Sequence, residues 1–315
     1  MIKAFAQKAV SLLPMRREVT AFLQTHVTRA TRQLSPRFFE KKVADAHKHL
    51  EYYLAASGAS QPPPRVLELG TGWYPIVPVA LCLCGTSTLW TVDREDTLTK
   101  PRLLEVLRMF ADYAADGRLA KLLPRIQSDR LAQLIDVLDR AGDLSKADML
   151  SPLGIRAVIA DARRLELDAG CADLVFSTLV LGFIPARVLV EIMRELRRVI
   201  APAGVMSHFI DLADLYALFD HHITEYNFLR YTARRWNLLN NSIQYLNRLR
   251  MSDYRRLHEQ AGFRIVQEDI GPGSLERLAT VPLAPEFRGY APEDLAVRSA
   301  WIVSQPLAGG SEVAQ

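Results

Sequence analysis

Ten residues, Val66-Leu67-Glu68-Leu69-Gly70-Thr71-Gly72-Trp73-Tyr74-Pro75, constrain this chain more than any others. A short apolar run ends in a carboxylate, two glycines follow at alternate positions, and a proline stands where a helix can begin. The pattern predicts a buried strand, a tight turn and a helix start. Glycines at 70 and 72 allow positive φ and let the backbone approach a ligand closely. The first free N–H groups of the following helix add a partial positive charge. A second apolar run, Thr88 to Val92, closes on Asp93, about twenty residues further on. A carboxylate at that offset can accept hydrogen bonds from ribose hydroxyls.

The same alternation of strand and helix patterns continues. Ala157 to Ala160 reads as a third strand ending at Asp161-Ala162, and Ala172 to Leu181 as a fourth passing through Ser177-Thr178. Val205 to Ile210 reads as a fifth, followed closely by Asp211. Phe263 to Val266 and Arg298 to Ser304 read as the sixth and seventh. Ile76 to Cys84 is apolar nearly all round, the pattern of a buried helix. Ala186 to Ile200 is amphipathic, and Ser252 is expected to cap a helix over Asp253 to Ala261. Two stretches are too long for single crossovers: about 96–155, read as a helical insertion, and about 211–251, read as a lid. Residues 1–60 are expected to form a helical N-terminal cap, and 306–315 a mobile tail.

A strict dinucleotide fingerprint would need glycine at Pro75, which weakens a nicotinamide-dependent reading. Glu68-Leu69-Gly70-Thr71-Gly72 instead resembles the first motif of the class I S-adenosylmethionine-dependent methyltransferases. That family often has a third glycine where this chain has Tyr74. The resemblance spans about Arg65 to Ser304. It implies a Rossmann-like α/β fold: a seven-stranded, mostly parallel sheet with helices on both faces. It implies S-adenosyl-L-methionine as cofactor, held by Glu68, Gly70, Thr71, Gly72, Asp93, Asp161, Ala162, Ser177 and Thr178. Asp93 would take the ribose, Asp161-Ala162 the adenine, and the end of the fourth strand the methionine and methyl.

For the acceptor side the residues suggest a cluster after strand five: His208, Asp211, Asp214, His221 and His222. A neutral imidazole there could take a proton from an attacking hydroxyl or amine. His208, Asp211, His221 and His222 are therefore the catalytic candidates, with no metal expected. Tyr226 to Arg250 mixes aromatic, amide and arginine side chains, which suits a small-molecule or saccharide-like acceptor. The same composition raises an RNA-modifying enzyme as an alternative. Against it, Ser177-Thr178-Leu179-Val180 lacks the Asp/Asn-Pro-Pro-aromatic motif usual in enzymes that methylate base amino groups. A non-catalytic cofactor-binding partner subunit is a further alternative. The net charge of +4 over 315 residues is far from the basic density of a dedicated nucleic-acid binder.

Three cysteines, of which Cys82 and Cys84 sit in an apolar run, give no disulfide framework. That pattern leads to an expectation of a reducing, cytoplasmic setting. The basic, amphipathic opening Met1 to Pro14 reads as a helix on the domain, with weak contact to an anionic membrane surface as an alternative. Nothing in the sequence fixes an oligomeric state.

Overall fold

In the computed structural model the described residues are 34–307 apart from 219 and 241–244. The expectations for the amphipathic opening and most of the tail lie outside them. Seven strands form one sheet in the order β3-β2-β1-β4-β5-β7-β6. They are β1 (Arg65–Leu69), β2 (Thr88–Asp93), β3 (Ile155–Ile159), β4 (Ala172–Thr178), β5 (Ile200–Asp211), β6 (Phe263–Gly271) and β7 (Ser299–Pro306). Strands β1 to β5 pair in parallel, and β7 lies antiparallel between β5 and β6. The chain steps outward from β1 to β2 and β3 on one side, and to β4 and β5 on the other. Such a reversal opens a crevice beyond the carboxyl ends of β1 and β4, where ligands bind in open α/β sheets.

The helices are α1 (Pro36–Ser57), α2 (Ile76–Leu83), α3 (Lys100–Ala115), α4 (Arg118–Leu122), α5 (Ser128–Asp139) and α6 (Lys146–Leu150). They continue with α7 (Ala186–Val199), α8 (Ala233–Leu239), α9 (Met251–Gln260), α10 (Leu275–Ala279) and α11 (Pro292–Ala296). Local sequence sets the ends of α1. The Ser35 side chain accepts the Phe38 N–H, Pro36 opens the first turn, and Gly58 closes the helix at φ 70°. Phe39, Val43, Ala46, Leu50 and Tyr53 make its buried stripe.

Strand parity assigns the two faces. Val66, Leu174, Phe176, Val205, Trp301 and Val303 pack with α1, α2 and α3. Leu67, Val175, Met206, Ile210 and Ile302 pack with α7 and α9 on the other side. A third core, built on Tyr226, Phe228, Leu229, Trp236, Leu278 and Phe287, belongs to the region after β5 together with that between β6 and β7. The stretch expected as a lid thus shares a packed core with a second, separate stretch of chain.

Several expected boundaries shift. Strand β6 runs to Gly271 because it pairs with β7 along its length. Ser252 does not cap α9: Arg250 is the N-cap, with Asp253 accepting its N–H at 2.8 Å. Ser252 lies inside the first turn, its N–H and hydroxyl both given to Asp294. The 96–155 stretch holds α3 to α6, packed on the α1 side. Cys82 and Cys84 are buried, and burial pushes both thiols up to about 12. No described helix is long and apolar enough to cross a membrane.

Candidate functional site

The glycine turn and the β2 tip are tied together. Gly70 has φ 81° and donates to the Val92 carbonyl at 2.7 Å; Gly72 has φ 66°. The Gly72 N–H donates to Asp93 Oδ2 at 3.0 Å, and the Thr97 hydroxyl donates to the Gly72 carbonyl at 2.7 Å. The other Asp93 oxygen takes the Arg94 N–H at 2.7 Å. Asp93 is therefore fixed by backbone donors and keeps lone pairs for a ligand hydroxyl. A Cβ built at Gly72 meets nothing within 4 Å, so the turn opens to free space there. At Gly70 a Cβ would lie 2.5 Å from Val180 Cγ2. The β4 exit therefore rests on the bare glycine. Trp73 and Tyr74, which occupy positions between Gly72 and Pro75, are half-buried; the Arg102 guanidinium lies 4.1 Å from the Trp73 ring centroid.

Glu68 points to the α1 face, buried, and accepts the Thr91 hydroxyl at 2.7 Å. Burial lifts its carboxyl to about 8, outweighing hydrogen bonds from Thr91 and Thr71 and the nearby Lys42 ammonium. The native state then binds a proton that the unfolded chain releases above pH 4.5. Stability is complete below that pH and falls as pH rises towards about 8. Glu68→Gln is expected to flatten this decline in melts at pH 5 and pH 8; an unchanged slope would contradict the assignment.

Asp161 lies past the tip of β3, exposed, and grips Arg163 through both oxygens; that pair holds its carboxyl down at about 2. Ala162 is buried. Ser177 and Thr178 end β4 on opposite faces. The Ser177 hydroxyl bonds His208 Nδ1 at 2.8 Å, and the Thr178 hydroxyl bonds His49 Nε2 at 3.1 Å. Both are spent inside the core.

The catalytic candidates separate. His208 is fully buried on the α7/α9 face, with its ring 6.1 Å from that of His258. Burial and that neighbour drive its pKa down to about 3. It shares its face of β5 with Met206 and Ile210, so it belongs to the sheet's interior and cannot meet an acceptor. His221 and His222 stand exposed on a turn of the lid. Asp211 ends β5 half-buried on the α1 side. Its Oδ1 accepts the Ala213 N–H at 2.9 Å, and burial raises its pKa against the pull of that N–H, Arg298, Lys41 and Arg250. Asp214 is buried, takes the Tyr216 N–H at 2.9 Å and is lifted by burial to about 6. It shapes the lid's first turn.

Of the segment with sugar-binding character, Arg230 is exposed and residues 241–244 lie outside the described residues, but its large rings are turned inward. Tyr226, Phe228 and Trp236 fill the lid's core. Arg248 donates to the Phe228 and Tyr231 carbonyls, Arg250 to the Leu212 carbonyl, and Asn247 to those of Leu181 and Ile184. These groups hold the lid together rather than facing a sugar. Sequence reasoning missed His49, which bridges Ser207 and Thr178, although its helical offset from Ala46 and Leu50 puts it near the buried stripe. Among the described residues no group of His, Cys, Asp and Glu could hold a metal.

Residues 117–207 match a family model described as a methyltransferase domain. The match runs from the turn before α4 into β5 and leaves out the glycine turn. No curated protein matches the chain. Among solved structures, the chain is similar to geranyl diphosphate C-methyltransferase from Streptomyces coelicolor A3(2), at 12% identity over 88% of this chain and 86% of that one, TM-score 0.45. It is also similar to a chain in the complex of the Haloferax volcanii Trm112 methyltransferase activator with a methyltransferase, at 14% over 87% and 95%, TM-score 0.44. A third is an S-adenosylmethionine-dependent methyltransferase from Mesorhizobium loti, at 13% over 78% and 91%, TM-score 0.41. At these values the likenesses carry no argument about acceptor or partner.

Proposed function

We infer that this chain, a class I S-adenosylmethionine-dependent methyltransferase by its fold and its methyltransferase-domain match, methylates an oxygen or nitrogen of a small molecule. The observation that carries the reading is the Gly72–Asp93 hydrogen bond, which brings the glycine turn and the β2 acid to one crevice at the sheet's switch point. The residues fit the cofactor: Gly72 opens to space, and Asp93 presents a fixed acceptor for ribose hydroxyls. Asp161-Ala162 lie one strand further out, where the adenine would reach, with Arg163 as the competing partner of Asp161.

S-adenosylmethionine supplies a methyl group on a positively charged sulfur, already activated for attack. The protein's task is alignment, which supplies much of the rate in such transfers. Asp211, the candidate left at the strand tips, would take the acceptor's proton; burial raises its pKa, which makes its carboxylate a stronger base. The inward-facing rings and amides of the lid remove the reason for a saccharide-like acceptor, so the reading stays with a small molecule.

Calorimetry with S-adenosylhomocysteine tests this. The wild type should bind. Asp93→Ala removes charge-assisted bonds worth about 1.5–3 kcal/mol, so affinity should fall by roughly ten- to a hundredfold. Asp211→Asn should instead bind normally and lose methyl transfer to the acceptor recovered from a cell extract with methyl-labelled cofactor. A wild type without affinity for the nucleoside would end the reading.

A further inference from the structure

Leu179 has φ 64°, and it is the one non-glycine residue with positive φ among the described residues. It follows Thr178 directly, at the exit of β4. A branched side chain there is costly, whereas glycine would take this conformation without a clash. Such strain persists only where the surroundings over-determine it.

Those surroundings can be named. The Leu179 N–H donates to the Phe209 carbonyl at 2.7 Å. One residue earlier, His49 spans two strands: Nε2 to the Thr178 hydroxyl at 3.1 Å, and Nδ1 to the Ser207 hydroxyl at 2.8 Å. Phe176 and Trp301 flank the imidazole, each ring centroid 4.7 Å away. On the opposite face Ser177 is held by His208. Beyond the strained residue Asn247 takes over. Its amide donates to the carbonyls of Leu181 at 2.7 Å and Ile184 at 2.8 Å, and its N–H to that of Gly182 at 2.9 Å. Between these anchors Val180 comes down on Gly70.

We propose that Leu179 is a positioning residue: its left-handed backbone, braced by His49 on one side and Asn247 on the other, presses Val180 onto Gly70 and so fixes the floor of the cofactor crevice. The proposal rests on the methyltransferase reading. The helix α1 and the lid, which supply the two braces, thereby act on the cofactor without touching it.

Leu179→Ala and Leu179→Gly separate this role from simple packing. Both remove the side chain, but only glycine relieves the strain. Leu179→Gly should therefore melt about 2–4 °C above Leu179→Ala, the reverse of the order at an ordinary position. Yet it should bind S-adenosylhomocysteine about five- to thirtyfold more weakly than Leu179→Ala, because one freed backbone residue must be ordered on binding. His49→Ala should weaken binding in the wild-type background and add little in the Leu179→Gly background, since both act through one segment. Equal affinities in the two Leu179 variants, or affinity that simply follows melting temperature, would overturn the proposal, and so would additive effects of His49→Ala. If His49→Ala does not fold, the Leu179 pair decides alone. A wild type that binds while the two variants bind alike removes this inference only; a wild type that does not bind removes the functional reading as well.

Discussion

Gly70→Val is expected to abolish binding of S-adenosylmethionine and to lower stability by about 3 kcal/mol or more. Two costs combine. A β-branched residue at φ 81° carries backbone strain of about 1–3 kcal/mol. Its Cβ would also lie 2.5 Å from Val180 Cγ2 and 3.3 Å from Val180 Cβ, an overlap that rotation of the valine alone cannot clear. The least costly relief lifts the β4 exit away from β1, which deforms the crevice floor. Calorimetry and thermal melts on the same sample check both halves. A variant that loses stability but binds normally would place the cofactor away from this turn.

Gly273→Ala should have the largest effect on the lid. A methyl there would sit 1.8 Å from the Tyr226 hydroxyl and 2.1 Å from the Ala296 carbonyl. That hydroxyl is the hub of the subdomain: it donates to the Ala296 carbonyl at 2.9 Å and accepts the Ser274 N–H at 2.9 Å, fully buried. Losing both bonds while overpacking the same point should cost about 4 kcal/mol or more. Because the lid has its own core, the damage should appear as local opening rather than global unfolding. Hydrogen exchange should show the lid deprotected and the sheet protected, with S-adenosylhomocysteine still bound. Uniform loss of protection would mean that lid and sheet unfold together.

The sequence made the strand tips legible where local chemistry is strict. Positive φ demanded glycine at 70 and 72, and a strand ending in Asp93 could be placed by its apolar run alone. The strand count followed from periodicity. What misled was proximity along the chain. His208 stands three residues before Asp211, but strand alternation sends the two to opposite faces, and the Met206–His208–Ile210 parity was the available clue. Between Tyr226 and Arg250 the mix of polar and aromatic groups suggests a binding surface. The partners of Tyr226, Trp236, Asn247, Arg248 and Arg250 are backbone carbonyls, which no local pattern announces. Leu179 was out of reach for the same reason: its φ is imposed by α1, β5 and the lid, and nothing in its own neighbours demands it.

Helix α1 packs against the last strand described. His49 and Lys48 meet Trp301, the Gln305 amide donates to the Ala56 carbonyl at 3.1 Å, and Lys48 pairs with Asp269. On the ribosome the carboxyl end of this helix emerges about 250 residues before the strand it meets there, while its apolar stripe finds α2 and α3 far sooner. Docking of this helix onto β7 is then a long-range event, slow by nature, and leaves that flank exposed to aggregation until β7 has been made.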